Sequence, residues 1–172
     1  MMHKGIVLIW TGILAIILLF VPIEKVIEFK QTRPESCKQY YIPLNEHREF
    51  SLTFTHSIHL SDVKEIYRVT QTNEIEPYQM IYEDLAIGMP GAAEKTQTFE
   101  KIDGKWVLTT FGQTMESFTL YNSSIHKKLE VVYDNRIFDL KNELPTGGSY
   151  LIQIKEYSWI SRMKGEQLNG RK

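Results

Sequence analysis

The chain has 172 residues, with 20 Lys and Arg against 21 Asp and Glu, a net charge of -1 at pH 7 and 12% aromatic residues. That length suits one domain with appendages, and the balanced charge excludes a polyanion-binding surface, so no nucleic acid is expected as a partner. A single cysteine, Cys37, cannot close an internal disulfide, which leaves the core alone to hold the fold.

In chain order, residues 1–4 form a short basic start and residues 5–23 carry no charged side chain. As a helix at 1.5 Å per residue, the second stretch is about 28 Å long, close to the hydrocarbon thickness of a bilayer. It reads as a transmembrane anchor, with the N-terminus inside and the body of the protein on the extracytoplasmic side of the cell membrane. The rival reading is a cleaved signal peptide, but Val21, Pro22, Ile23 and Glu24 offer no small-x-small cleavage site. Residues 24–48, charged and holding Pro34 and Pro43, read as a stalk that ends in an edge strand at 40–44.

A β-domain is expected over 49–160. Phe50, Leu52, Phe54, His56 and Ile58 alternate with Ser51, Thr53, Thr55 and Ser57, the period of a half-buried strand. Val63, Glu65, Tyr67 and Val69 share a face of the next strand. A loop centred on Leu60 and Ser61 predicts pairing of Ile58 with Val63, His56 with Glu65, Phe54 with Tyr67 and Leu52 with Val69, so that apolar meets apolar. A turn follows at 73–77 and a third strand at 78–87, broken by Gly88, Met89, Pro90 and Gly91. Strands at 98–102 and 105–111 flank Asp103-Gly104, and strands at 129–133 and 136–140 flank Asp134-Asn135, both turn pairs suited to positive φ. Further strands are expected at 117–121 and 149–157, and residues 161–172 read as a disordered tail. Eight or nine short strands joined by hairpins predict an all-β fold, an antiparallel sandwich or barrel. No long amphipathic helix is expected among them.

The predicted register sets His56 beside Glu65 on the core-facing side of a sheet. Three chemistries compete for this pair. As a buried cross-strand hydrogen bond it fixes the register. As a nucleophilic site it needs Ser57, which points to the opposite face of a regular strand and so fails the geometry of a serine–base pair. As a metal site it would draw on His56, His59, Asp62, Glu65 and Glu94, yet two histidines three apart do not share a strand face. No metal or cofactor is therefore assigned. Gly88, Met89 and Pro90, with Glu94 after them, suit contact with a ligand or partner, since Gly admits close approach and Met adapts to irregular surfaces; a plain crossover between sheets is the alternative.

The stretch FTHSIHLSDVKEIYRV, with EDLAIGMPGAAE some twenty residues later, resembles the domain-of-unknown-function 1850 family. The matching features are His56 and Ser57 after an aromatic strand, Glu65 beyond them, and the Gly88-Met89-Pro90 turn with Glu94. The family turn usually has a small residue and Gly ahead of Met-Pro, and Ala86, Ile87 and Gly88 stand there in this chain. The resemblance implies a small exported or anchored bacterial protein associated with a tripartite ATP-independent (TRAP) transporter of the TAXI type. Its expected role is a non-enzymatic accessory module contacting the transporter's receptor or permease. A small-ligand-binding β-domain is the alternative, and a hydrolase using His56 as general base is a third reading. The resemblance carries no catalytic residues onto this chain.

Overall fold

A computed structural model describes residues 10–13, 16–34, 36, 38–58, 60–85, 88–125 and 127–172. Residues 10–13 and 16–20 are helical. Among the described residues twelve strands follow: β1 (Pro22–Arg33), β2 (Gln39–Leu44), β3 (Glu49–Thr55), β4 (Asp62–Val69), β5 (Ile75–Tyr82), β6 (Gln97–Ile102), β7 (Lys105–Thr110), β8 (Ser117–Tyr121), β9 (Leu129–Tyr133), β10 (Arg136–Asp139), β11 (Ser149–Ser158) and β12 (Glu166–Gln167). Two short helices, α1 (Leu140–Glu143) and α2 (Trp159–Lys164), interrupt them.

The strands form two open sheets, a five-stranded one in the order β12-β2-β1-β11-β8 and a seven-stranded one in the order β10-β9-β3-β4-β5-β7-β6. One hydrophobic core joins Ile27, Phe29, Ile42, Tyr150 and Ile152 of the first sheet to Phe50, Leu52, Tyr67, Val69, Leu129 and Val131 of the second. The expected all-β class holds, as two open sheets rather than a closed barrel. Pairing is antiparallel except for the short parallel contact of β12 with β2.

The stalk expected over 24–48 is instead part of the domain. β1 is the middle strand of its sheet, pairing with β11 from Pro22↔Ser158 to Arg33↔Ser149 and with β2 from Lys25↔Leu44 to Lys30↔Gln39. Its charges hide it in the sequence. Ile27 and Phe29 face the core, while on the other face Glu28 is buried and accepts hydrogen bonds from the Tyr157 hydroxyl at 2.8 Å and from Gln153. Pro43 is tolerated because β12 pairs only with Tyr40 and Tyr41, so Pro43 lies on a free edge.

The tail expected to be disordered is also part of the fold. Leu168 is buried, Arg136 donates to the Gly170 carbonyl at 2.8 Å, and Arg171 and Ile137 exchange backbone hydrogen bonds of 2.8 and 2.9 Å. Residues 166–171 thereby run from an edge of one sheet to an edge of the other. Short polar segments of this kind are held by backbone pairing and one buried leucine, neither of which composition reveals.

Among the described residues no helix is long and apolar enough to cross a membrane, so the fold lends no support to the expected anchor, and strand β1 already begins at Pro22, inside the span 5–23. Residues 1–4, residues 5–9, 14 and 15 of that span, and Cys37, His59, Ala86 and Ile87 lie outside the described residues.

Candidate functional site

The β3–β4 hairpin carries most of the residues singled out from sequence, and its register differs from the expected one. Thr55 pairs with Asp62, Phe54 with Val63, Leu52 with Glu65 and Phe50 with Tyr67. His56 therefore does not lie opposite Glu65. It opens the connecting loop, donating from its backbone N–H to the Ser61 carbonyl at 2.8 Å and accepting from Leu60 N–H at 3.0 Å, with Leu60 at φ 56°. Its Nδ1 accepts from Ile58 N–H at 3.3 Å. Both registers put the same residues inward, because they differ by an even number of positions, and both set aromatic against apolar; the closure of the loop decides between them.

Glu65 remains on the core-facing side, between Leu52 and Met80 of the flanking strands. The Tyr67 hydroxyl, two residues along the same face, donates to its Oε2 at 2.5 Å. Burial pushes the Glu65 carboxyl above its ordinary value, and the hydrogen bond from Tyr67 opposes part of that rise. The Tyr67 hydroxyl is raised as well, by burial first and then by the Glu65 charge. The Tyr67 ring is stacked between Phe50, at 5.2 Å, and Phe118 of the opposite sheet, at 4.8 Å. Glu65 thus borders a cleft of about 220 Å³ where the edge strand β8 meets the larger sheet, lined by Phe54, Leu129, Phe118, Leu120 and Tyr121. A lone carboxyl in an apolar cleft can hold or release one proton or accept one hydrogen bond from a ligand.

Ser57 is exposed in the loop. Gly88 adopts φ 89°, a conformation that suits glycine, and the Tyr82 hydroxyl donates to the Pro90 carbonyl, tying the Gly-Met-Pro segment back to β5. Glu94 is exposed; its backbone N–H donates to Gln97 Oε1 and its carbonyl accepts from Gln97 N–H, both at 3.0 Å. Asp62 is held by Lys128 at 3.0 Å, whose ammonium is stabilised first by that hydrogen bond. Among the described residues no group of three or more His, Cys, Asp and Glu side chains is placed to hold a metal ion.

What sequence reasoning missed is where these pieces lie. The pairings Thr55↔Asp62, Phe54↔Leu129 and Tyr82↔Trp106, with the Glu83–Lys105 ion pair at 3.2 Å, place the β3–β4 loop, the start of the β5–β6 connection, the β6–β7 turn and the β8–β9 connection at one end of the larger sheet. Ile58, Leu60, Leu85, Ile102, Tyr121 and Ile125 lie at that end, each between 49% and 70% exposed. Strand periodicity gives no warning of this, since every one of them falls in or beside a turn. At the opposite end, Asn73 donates to Glu156 at 3.3 Å next to the start of β1, where the N-terminal helical residues join the fold. A second candidate, the His47 and Asp134 pair at 3.1 Å, also lies there, with His47 largely exposed.

The model of the family described as Domain of unknown function (DUF1850) matches residues 50–140, just over half of the chain. No curated protein and no solved structure matches it.

Proposed function

The chain belongs to the DUF1850 family of unknown function, and from that premise we propose that it is a non-enzymatic accessory module of a membrane transport system, docking through its exposed apolar loops. The partner we propose is the receptor or permease of a TAXI-type TRAP transporter. The protein is held at the cell membrane by its N-terminal segment, with the β-domain on the extracytoplasmic side.

The observation that carries this reading is the exposure of Ile58, Leu60, Leu85, Ile102, Tyr121 and Ile125 at one end of the fold. Large apolar side chains exposed at one end of a fold suit contact with a partner. They lie at the end of the larger sheet opposite the N-terminal helical residues, so a membrane-held protein presents them outward. A photo-crosslinking residue placed at Leu60 or Ile125 in native membranes should capture the receptor or permease, and the same residue at Asn73 should not. Equal capture from both ends, or capture of neither component from the loops, refutes the reading.

A second reading has its own observation, the apolar cleft beside Glu65. An apolar molecule with one hydrogen-bond donor fits its chemistry. Thermal shift of the purified protein against such ligands, lost in Glu65→Gln, would favour this reading over docking. Catalysis by His56 has no comparable support, because His56, Ser57 and Glu65 are not brought together by the hairpin.

A further inference from the structure

We infer that helix α2 and the start of β1 form a foot that rests on the headgroup region of a phospholipid bilayer. The inference builds on the membrane-held reading above and adds a second, independent contact. Residues 16–20 are all apolar, helical and exposed, between 43% and 62%. A helical stretch whose side chains are all apolar and exposed calls for a nonaqueous surrounding. Only Val21 separates that helix from β1, whose first residue Pro22 pairs with Ser158. Ser158 is also the N-cap of α2, accepting from Ser161 N–H at 3.3 Å. The point where the apolar helix joins the fold and the first turn of α2 are thus neighbours.

Helix α2 is built for such a boundary. Trp159 and Met163, four residues apart on one helical face, are 51% and 84% exposed. Arg162 lies against the Trp159 ring at 5.4 Å and reaches Glu24 of β1 at 3.0 Å, which fixes α2 against the sheet. Lys164, Lys25 and Lys155 are exposed nearby, against Glu156 and Glu166. Tryptophan with flanking cations is the composition found at the headgroup level of membranes, where the ring is half apolar and the ammonium reaches water. A foot here would restrain tilting of the β-domain and hold its apolar loops away from the bilayer.

Trp10, Trp106 and Trp159 are the three tryptophans of the chain, and they report on the helix, the far end of the fold and the foot respectively. Full-length variants retaining one tryptophan each, the others changed to Phe, would be reconstituted in phosphatidylcholine–phosphatidylglycerol vesicles brominated either near the headgroup or near the chain ends. We expect about twofold quenching of Trp159 by the shallow bromines, as befits an interfacial ring, with Trp10 quenched and Trp106 unaffected. Met163→Asp, at a highly exposed position, should keep the fold and relieve the quenching of Trp159. If Trp10 is quenched and Trp159 is not, the foot is refuted and the membrane-held reading survives. If neither is quenched, both fail.

Discussion

Replacing Glu65 by Gln tests the physical reading of the cleft most directly. The carboxyl lies on the core-facing side with the Tyr67 hydroxyl at 2.5 Å from Oε2, and burial raises its pKa above the ordinary 4.5. Gln keeps the shape and keeps an acceptor for Tyr67. Below the ordinary pKa both side chains are neutral in folded and unfolded chains, so the two proteins should be about equally stable. As pH rises past 4.5 the unfolded wild type loses its proton first, and the wild type loses stability until the folded carboxyl also ionises. The fall can be no steeper than about 1.4 kcal/mol per pH unit, the limit for one proton. Above the raised pKa the difference is constant, with Glu65→Gln the more stable. Urea unfolding of both proteins in the same mild detergent, repeated from pH 4 to pH 8, reads this as a growing gap between midpoints. A gap that stays constant with pH, or one that favours the wild type at pH 8, would refute the burial of this carboxyl.

Tyr67→Phe removes the donor that lowers the Glu65 pKa, so the variant's fall in stability should still begin near pH 4.5 but continue to higher pH than in the wild type, with a loss of about 1 to 2 kcal/mol near neutrality; the same titration of midpoints checks it. Asn122 is fully buried and its Nδ2 donates to the Leu144 carbonyl at 2.8 Å and the Leu140 carbonyl at 3.3 Å, both in the turn of α1. Asn122→Ala leaves those carbonyls without this donor and should cost about 2 to 4 kcal/mol by chemical denaturation. Leu168→Ala should cost about 2 to 4 kcal/mol and loosen the C-terminal segment, visible as faster amide exchange at Arg171; no loss of stability would restore the disordered tail.

The turn chemistry was the most readable part of the sequence. Asp103-Gly104 and Asp134-Asn135 adopt positive φ at both positions, at 49° and 83° and at 49° and 57°, as hairpins of their type require. With those turns set, β8 and β9 fall on the expected residues and β6, β7, β10 and β11 within one or two of their ends. The turn expected at 73–77 lies instead at Thr70–Glu74, closed by a 2.9 Å bond from Thr70 N–H to the Glu74 carbonyl, because Pro77 is accommodated at a register shift inside β5. The β3–β4 register was not readable, since hydrophobic alternation selects a face and cannot choose between slips of even length. β1 was hidden for a different reason: its outward face carries Glu28, whose burial depends on Tyr157 and Gln153, more than a hundred residues away in sequence.

The span that matches the family model does not hold the core by itself. Residues 50–140 cover the seven-stranded sheet and β8, while β1, β2, β11 and β12 lie outside. Phe50, Leu52, Tyr67, Val69 and Leu129 bury their side chains against Ile27, Phe29, Ile42, Tyr150 and Ile152, all beyond that span. A sheet stripped of this cover exposes its apolar face to water, which is strongly unfavourable. The segments flanking the span therefore supply nearly half of the core. They also bring the chain's apolar N-terminal helix to one end of the fold and leave the His56 loop at the other, so the same strands that complete the core set the direction in which the loops face.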